Sequence, residues 1–251
     1  MKFSSTLLDR LANAEAVVAF TGAGASAESG VPTFRGPDGI WAKFKPEELA
    51  SMDAFMRNPE LVWEWYNHRR TVMSKVRPNE GHFALARMES LFPRFTLVTQ
   101  NVDNLHRRAG SRRVHELHGN IERSYCVTCR KPFTEVSVPE QGTIPRCECG
   151  GAVRPDVVWF GEVLPEEVWQ SSVEAAERSE VFFSIGTSAV VYPAASLPTI
   201  ARRGGAYVVE INPETTPLTP RVDEFLSGLS GVVLPALVAR IVGARSLVAR
   251  L

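Results

Sequence analysis

The sequence predicts an α/β fold, a parallel sheet with helices on both faces, accompanied by a smaller module. Three observations carry this. Short apolar runs alternate with amphipathic helical stretches along most of the chain. The first of these runs ends in a glycine turn. Two segments, one helical and one bearing all four cysteines, interrupt the alternation.

Taken in order, Phe3, Leu7, Leu8 and Leu11 stand at helical spacing. Ala16-Val17-Val18-Ala19-Phe20 leads into Thr21-Gly22-Ala23-Gly24, a buried strand feeding a tight turn. Residues 59–76 read as a long helix with Leu61, Val62, Trp65, Val72 and Met73 on its apolar side. Pro59 sits near its start, where a missing N–H is tolerated. Asn79 caps a second helix carrying Phe83, Leu85, Ala86, Met88 and Leu91. A strand at 95–98, a polar stretch at 99–104 and a weaker strand at 114–117 follow. After the cysteines, 157–160 resumes the core. A helix at 165–178, a strand at 181–185, a helix near 194–203, a strand at 206–211 and a helical tail from Leu234 complete the pattern. The stretches 36–92 and 123–151 read as insertions that together make the smaller module. Residues 1–35, 93–122 and 152–251 remain for the sheet domain.

With 251 residues, 44% hydrophobic and 22% charged, the chain can bury a large core without disulfides. Lys plus Arg and Asp plus Glu number 28 each, so the formal net charge is zero. That balance argues against nucleic-acid binding through a whole-surface positive field. No apolar run approaches the roughly 18–20 residues of a membrane span. Asp9 and Arg10 fall where a signal peptide would need apolar residues. A cytoplasmic protein without a membrane partner is the expectation.

The cysteines are spaced Cys126-x2-Cys129, then seventeen residues, then Cys147-x-Cys149. Paired short loops of this kind supply the tetrahedral thiolate set that zinc prefers. Four thiolates with no open position make a structural site. The alternative is two disulfides or four unrelated thiols. Gly22-Ala23-Gly24-Ala25-Ser26-Ala27 fits G-x-G-x-x-A, in which glycines let backbone N–H groups approach a pyrophosphate. The acid that a dehydrogenase needs about twenty residues later is missing from Ile40-Trp41-Ala42-Lys43-Phe44-Lys45-Pro46. A dinucleotide is therefore expected, but not held as in an ordinary dehydrogenase.

Further segments sharpen this reading: Glu28-Ser29-Gly30-Val31-Pro32-Thr33-Phe34-Arg35, Gln100-Asn101-Val102-Asp103, Leu117-His118-Gly119, the four cysteines, Trp159-Phe160-Gly161-Glu162, Gly186-Thr187-Ser188 and Asn212. In this order, over roughly 17–235, the chain resembles the sirtuins, NAD-dependent protein lysine deacylases. The resemblance implies a Rossmann-like NAD-binding domain with a helical insertion and a zinc ribbon. It also implies that NAD is consumed: the acyl-lysine oxygen attacks the nicotinamide ribose, and nicotinamide, free lysine and O-acyl-ADP-ribose are released. His118, among His68, His82, His106 and His115, matches the catalytic base. Asn101 and Asp103, with Gln100 and Val102, match the nicotinamide and ribose pocket. Gly22, Ala23, Gly24, Ala25, Ser26, Glu28, Phe34, Arg35 and Trp41 match the phosphate side and a cofactor loop. Gly186, Thr187, Ser188, Asn212, Glu214 and Val232 match the adenosine side. Phe160, Gly161 and Glu162 match a strand that clamps the acyl-lysine peptide.

Tyr66 and Arg69 stand three apart, neighbours on one helix face. They match the Tyr-x-x-Arg pair of sirtuins that remove succinyl and malonyl groups, with Ala50 small where that pocket needs width. Guanidinium suits a carboxylate through its planar, two-pronged geometry. From spacing alone, an exposed basic helix face is the other reading. The expected activity is therefore desuccinylation and demalonylation with some deacetylation, on acyl-lysine proteins. Mono-ADP-ribosyl transfer and a non-enzymatic acyl-lysine or NAD-binding module are the alternatives.

Overall fold

The structure is a computed structural model in which residues 2–33, 45–134, 136 and 144–248 are described. Nine strands follow one another along the described chain: β1 (Ala16–Thr21), β2 (Arg94–Thr99), β3 (Val114–Glu116), β4 (Gly119–Cys126), β5 (Pro132–Phe133), β6 (Val153–Val157), β7 (Val181–Ile185), β8 (Tyr207–Asn212) and β9 (Glu224–Ser227). Six of them form one sheet in the order β3-β2-β1-β7-β8-β9, with every pairing parallel. The chain first builds outward from β1 through β2 and β3, then returns to lay down β7, β8 and β9 on the other side. The order reverses between β1 and β7, and ligand crevices of open α/β sheets form at that point, beyond the carboxyl ends of the strands.

Pleating sends alternate residues of these buried strands to opposite faces. Val17, Ala19, Leu97, Phe183 and Val209 pack with helices Ser5–Asn13, Glu80–Glu89 and Ser230–Val248. Val18, Phe20, Val98, Phe182 and Val208 pack with helices Glu166–Glu177 and Leu197–Arg203. Asn79 caps its helix as expected, accepting from the Gly81 and His82 N–H groups, while the His82 ring accepts from the Asn79 N–H. Among the described residues, no helix is long and apolar enough to cross a membrane.

β5-β4-β6 form a separate three-stranded antiparallel sheet. Its apolar side joins a third cluster with Phe55, Val62, Trp63, Tyr66, Met73, Leu105 and Trp159. The Trp63 indole donates to the Val153 carbonyl, 2.8 Å away, tying helix Pro59–Lys75 to β6.

Three expectations are corrected. Helix Pro59–Lys75 buries Val62, Trp63, Tyr66, Arg69 and Met73, while Leu61 is exposed. The inward stripe follows 62-66-69-73, a helical period that a reading by hydrophobicity misses because Arg69 belongs to it. The segment 157–160 resumes the core through Val157 and Trp159, but Phe160, Gly161 and Glu162, which the resemblance places on a clamping strand, form a turn. β6 ends at Val157, Gly161 takes a φ of +87°, and the Glu162 N–H closes a turn on the Trp159 carbonyl. Phe160 is left half-exposed and joined to Ser51 by a single parallel bridge. The C-terminal helix begins at Ser230, four residues before Leu234, and strands β4 and β9 were not anticipated.

Candidate active site

The floor of the site is a close approach of two backbone turns. Gly22 follows β1, Gly186 follows β7, and the Gly24 N–H donates to the Gly186 carbonyl at 2.8 Å. A Cβ on Gly22 or Gly24 would lie 2.8 Å from the Gly186 carbonyl oxygen, and one on Gly186 would lie 2.3 Å from the Ala25 nitrogen. Gly186 also adopts a φ of +58°. Only glycine fits these positions.

Above this floor opens a cavity of about 770 Å³, in the size range of small-molecule and cofactor sites. Its wall brings together Gly22, Ala23, Gly24, Gln100, Asn101, Val102, His118, Gly186, Thr187, Ser188, Asn212 and Glu214 with Tyr66, Arg69, Phe160, Gly161 and Glu162. Residues the sequence did not single out also line it, notably Trp65 and the segment from Val190 to Pro193. That segment carries no polar motif that would betray it. Ala25, Ser26, Asp103, Glu28 and Val232 are not on this wall. Glu28 accepts from the Gly231 N–H and the Ser230 hydroxyl at the start of the last helix, and Val232 is exposed there. Phe34, Arg35 and Trp41 lie outside the described residues.

Asp103 and Ser26 sit behind the wall in a buried polar layer. The Asp103 carboxylate accepts from the Leu105 N–H at 2.9 Å and from the Ser26 hydroxyl at 2.7 Å. Burial raises its pKa, and those two bonds oppose the shift. The Asn101 amide donates to the Gly22 carbonyl and to the Ser26 oxygen. His82 completes the layer. Its Nδ1 accepts from a backbone N–H, so the neutral ring carries its proton on Nε2, 3.3 Å from the Ser26 oxygen. Burial pushes its pKa down to about 4. The His106 ring packs against it, tilted by 52° with centroids 4.7 Å apart, and is also held neutral by burial.

His118 stands at the turn between β3 and β4, half-buried. Its Nδ1 is 2.9 Å from the Gln100 carbonyl, which can only accept, so Nδ1 bears the proton and Nε2 keeps its lone pair. Burial lowers its pKa, and the bond to Gln100 partly offsets this. The result is a neutral, oriented imidazole on the cavity wall.

Also lining the cavity, Tyr66 is fully buried and its hydroxyl oxygen accepts from the Trp159 indole N–H at 2.8 Å. Burial raises its pKa to about 12, so the phenol stays protonated. The Arg69 guanidinium lies over the Trp65 ring, 4.8 Å from its centre, and burial lowers its pKa. A guanidinium nonetheless keeps its charge. The Glu162 carboxylate is held by Arg154 and by the Trp159 N–H.

The four cysteines are free thiols whose sulfur atoms all lie within 4.8 Å of one another. Cys126 and Cys149 are 3.5 Å apart, and Cys129 and Cys147 are 3.6 Å apart. Sulfurs at 2.3 Å around a tetrahedral zinc would be about 3.8 Å apart, so the set fits one structural zinc ion. Hydrogen bonding from the Cys129 N–H leads the causes that bring the Cys126 thiol down to about 6, which favours the thiolate a metal needs.

A parallel sheet with a crevice at its reversal point, beside a small sheet that carries a four-cysteine cluster, defines an α/β protein with one large cavity at its carboxyl edge. A profile described as the Sir2 family matches residues 22–193, and the chain belongs to that family. The NAD-dependent protein deacylase 2 of Pyrobaculum aerophilum is 53% identical over 234 residues, covering 93% of this chain and 94% of its own. A Sir2 homologue mutant in complex with ADP-ribose superposes with a TM-score of 0.94 at 47% identity, covering 98% of this chain and 99% of that one. A complex of Sir2 with a p53 peptide and NAD+ gives 0.85 at 34% identity, covering 94% and 97%.

The buried imidazoles carry a stability consequence. An unfolded histidine protonates near pH 6.5, whereas His82 in the folded protein does so only at about 4. Between those values the unfolded chain binds more protons, so stability falls as pH decreases, by roughly 1.4 kcal/mol per unit for His82 alone. His106, His115 and His118 shift in the same direction. Urea denaturation at pH 7.5, 6 and 5 should register the decline, and His82→Gln should flatten it. Equal stability at the three pH values would contradict the assignment of neutral buried rings.

Proposed function

We propose that this protein is an NAD-dependent protein lysine deacylase that removes succinyl and malonyl groups as well as acetyl. The observation that carries the reading is the meeting of Tyr66 and Arg69 with the neutral His118 imidazole on one cavity wall. Relatives named as NAD-dependent protein deacylases, and Sir2 complexes with ADP-ribose, NAD+ and peptide, support the general activity. The glycine floor suits the group as well: the small residues Gly22, Ala23 and Gly24 bring the backbone to the cavity at the carboxyl edge of the sheet, where a pyrophosphate can approach it. Bound there, NAD would supply the ribose carbon that accepts the acyl oxygen as nicotinamide leaves.

The chain's own residues then divide the work. Gly22, Ala23 and Gly24 form the ledge. Gly186, Thr187, Ser188, Asn212 and Glu214 line the adenosine end. Gln100, Asn101 and Val102 line the nicotinamide end, with Asp103 and Ser26 bracing Asn101 from behind. His118 Nε2 takes the ribose hydroxyl proton, because its other nitrogen is already committed to Gln100. Phe160, Gly161 and Glu162 receive the peptide. Arg69 pairs with the acyl carboxylate and Tyr66 donates to it. The division of the chain into a sheet domain and a module built from 36–92 and 123–151 belongs to this reading: a second apolar cluster around Phe55, Val62, Trp63 and Tyr66 favours it, although that cluster also takes in Val102, Leu105, Ile121, Val153 and Trp159, and Ala84, Leu85 and Met88 pack with the main sheet.

His118→Ala should lower turnover roughly 10²–10⁴-fold, the size expected of a positioned acid–base group, while calorimetric NAD binding persists. Turnover within a few-fold of wild type would remove His118 from this role. Arg69→Met should lower desuccinylation relative to deacetylation by about ten- to a hundredfold, since a charge-assisted bond is lost for only one substrate. The ratio of kcat/KM values on matched succinyl- and acetyl-lysine peptides measures this. An unchanged ratio would leave an ordinary deacetylase.

A further inference from the structure

Tyr66 holds a hydroxyl whose direction is set by another residue. An indole N–H can only donate, so in the 2.8 Å contact between Trp159 Nε1 and the Tyr66 oxygen the phenol is the acceptor. The phenol has one proton of its own. With the indole occupying one side of the oxygen, that proton is turned away from Trp159. Among the described residues, no hydrogen bond donated by Tyr66 is formed within the protein. Tyr66 lines the cavity together with Arg69, whose charge acts on the phenol more strongly than any other, so a ligand carboxylate drawn to Arg69 can receive that proton.

The indole is itself clamped. Trp159 is 2% exposed. The guanidinium of Arg154, 1% exposed, lies 3.4 Å from the centre of a Trp159 ring. The same guanidinium grips both oxygens of Glu162 and the Val157 carbonyl, and Glu162 in turn accepts from the Trp159 backbone N–H. Phe55 packs against the indole at 5.3 Å. A ring fixed in this way gives its N–H a single direction.

We propose that Trp159 is a positioning residue for acyl choice: its indole N–H orients the Tyr66 hydroxyl so that the phenolic proton is presented to the carboxylate of a dicarboxylic acyl group. This rests on the reading of Tyr66 and Arg69 as the acyl-carboxylate pair and adds to it a residue outside that pair. An acetyl group offers no acceptor at that depth, so the orientation matters little to it. A succinyl or malonyl carboxylate meets a hydroxyl that needs no reorganisation.

The test is the ratio of kcat/KM for succinyl-lysine to acetyl-lysine peptides in wild type, Trp159→Phe, Tyr66→Phe and the double variant. Trp159→Phe should lower the ratio about three- to tenfold, the effect of one neutral hydrogen bond. In the Tyr66→Phe background the same substitution should leave the ratio where it is, since no hydroxyl remains to orient. A residue that only supports the wall would lower both activities together and leave the ratio unchanged, which overturns the proposal, as does an equal fall in both backgrounds. If Trp159→Phe does not fold, benzothienylalanine incorporated at position 159 keeps the ring shape without the N–H and should lower the ratio in the same way. Wild type without desuccinylation would overturn the underlying reading, and the proposal with it. Wild type with desuccinylation and an unmoved ratio in the variant overturns the proposal alone.

Discussion

The separation between the turn after β1 and the turn after β7 governs the rest of the molecule. Gly24 and Gly186 meet through backbone alone, at a distance that no side chain could enter. The approach is available because β1 and β7 are adjacent parallel strands, paired from Val17 with Val181 to Thr21 with Ile185, so their carboxyl ends arrive together. Both strands are buried throughout, β1 apolar up to Thr21 and β7 apolar except for Ser184. The helices on either face hold the strands in register, and the register delivers the two glycine turns to the same edge. A side chain at any of the three glycines would push the turns apart.

Directly below that ledge the protein keeps a layer of polar groups where an apolar core would be simpler. Thr21, Thr99, Ser26, Asn101, Asp103, His82 and His106 are all buried, and their hydrogen bonds run mostly to one another. Such a layer is stable only when its members are satisfied, since each orphaned buried group costs about 1–3 kcal/mol. Here one atom is left short among the described residues, His106 Nδ1, which finds no partner, and the rest depends on a neutral His82 that accepts from the Asn79 N–H at the start of the next helix. The cap of one helix, the charge state of a buried ring and the placement of Asn101 on the cavity wall are thus one linked arrangement.

Much of this could be read from sequence, and the parts that could not have physical reasons. The alternating strands and helices, the glycine turn and the cysteine spacing each rest on local chemistry, and each appears in the structure. Helix Pro59–Lys75 was located correctly, but its rotation was not, because the inward stripe includes Arg69, a residue that hydrophobicity places outside. Burial of that guanidinium depends on tertiary partners, Trp65 beneath it and the cavity before it, which no helical period encodes. The turn at 160–162 was matched to a strand through the resemblance, whereas the Glu162 carboxylate, held by the buried Arg154 and the Trp159 N–H, draws the chain around. Asp103 was matched to the pocket by resemblance, and the bonds its carboxylate makes to Ser26 and Leu105 are tertiary contacts that no spacing encodes. The segment from Val190 to Pro193 was missed because it contributes shape and carries no polar signature.

The central claim is that this crevice couples removal of an acyl group from lysine to consumption of NAD. Mass spectrometry of one reaction, containing the protein, NAD and a succinyl-lysine or acetyl-lysine peptide, tests it most directly. The account predicts one nicotinamide released for each lysine freed, with the acyl group recovered on ADP-ribose. Lysine freed without NAD loss, the acyl group recovered as the free acid, or ADP-ribose retained on the peptide would contradict it.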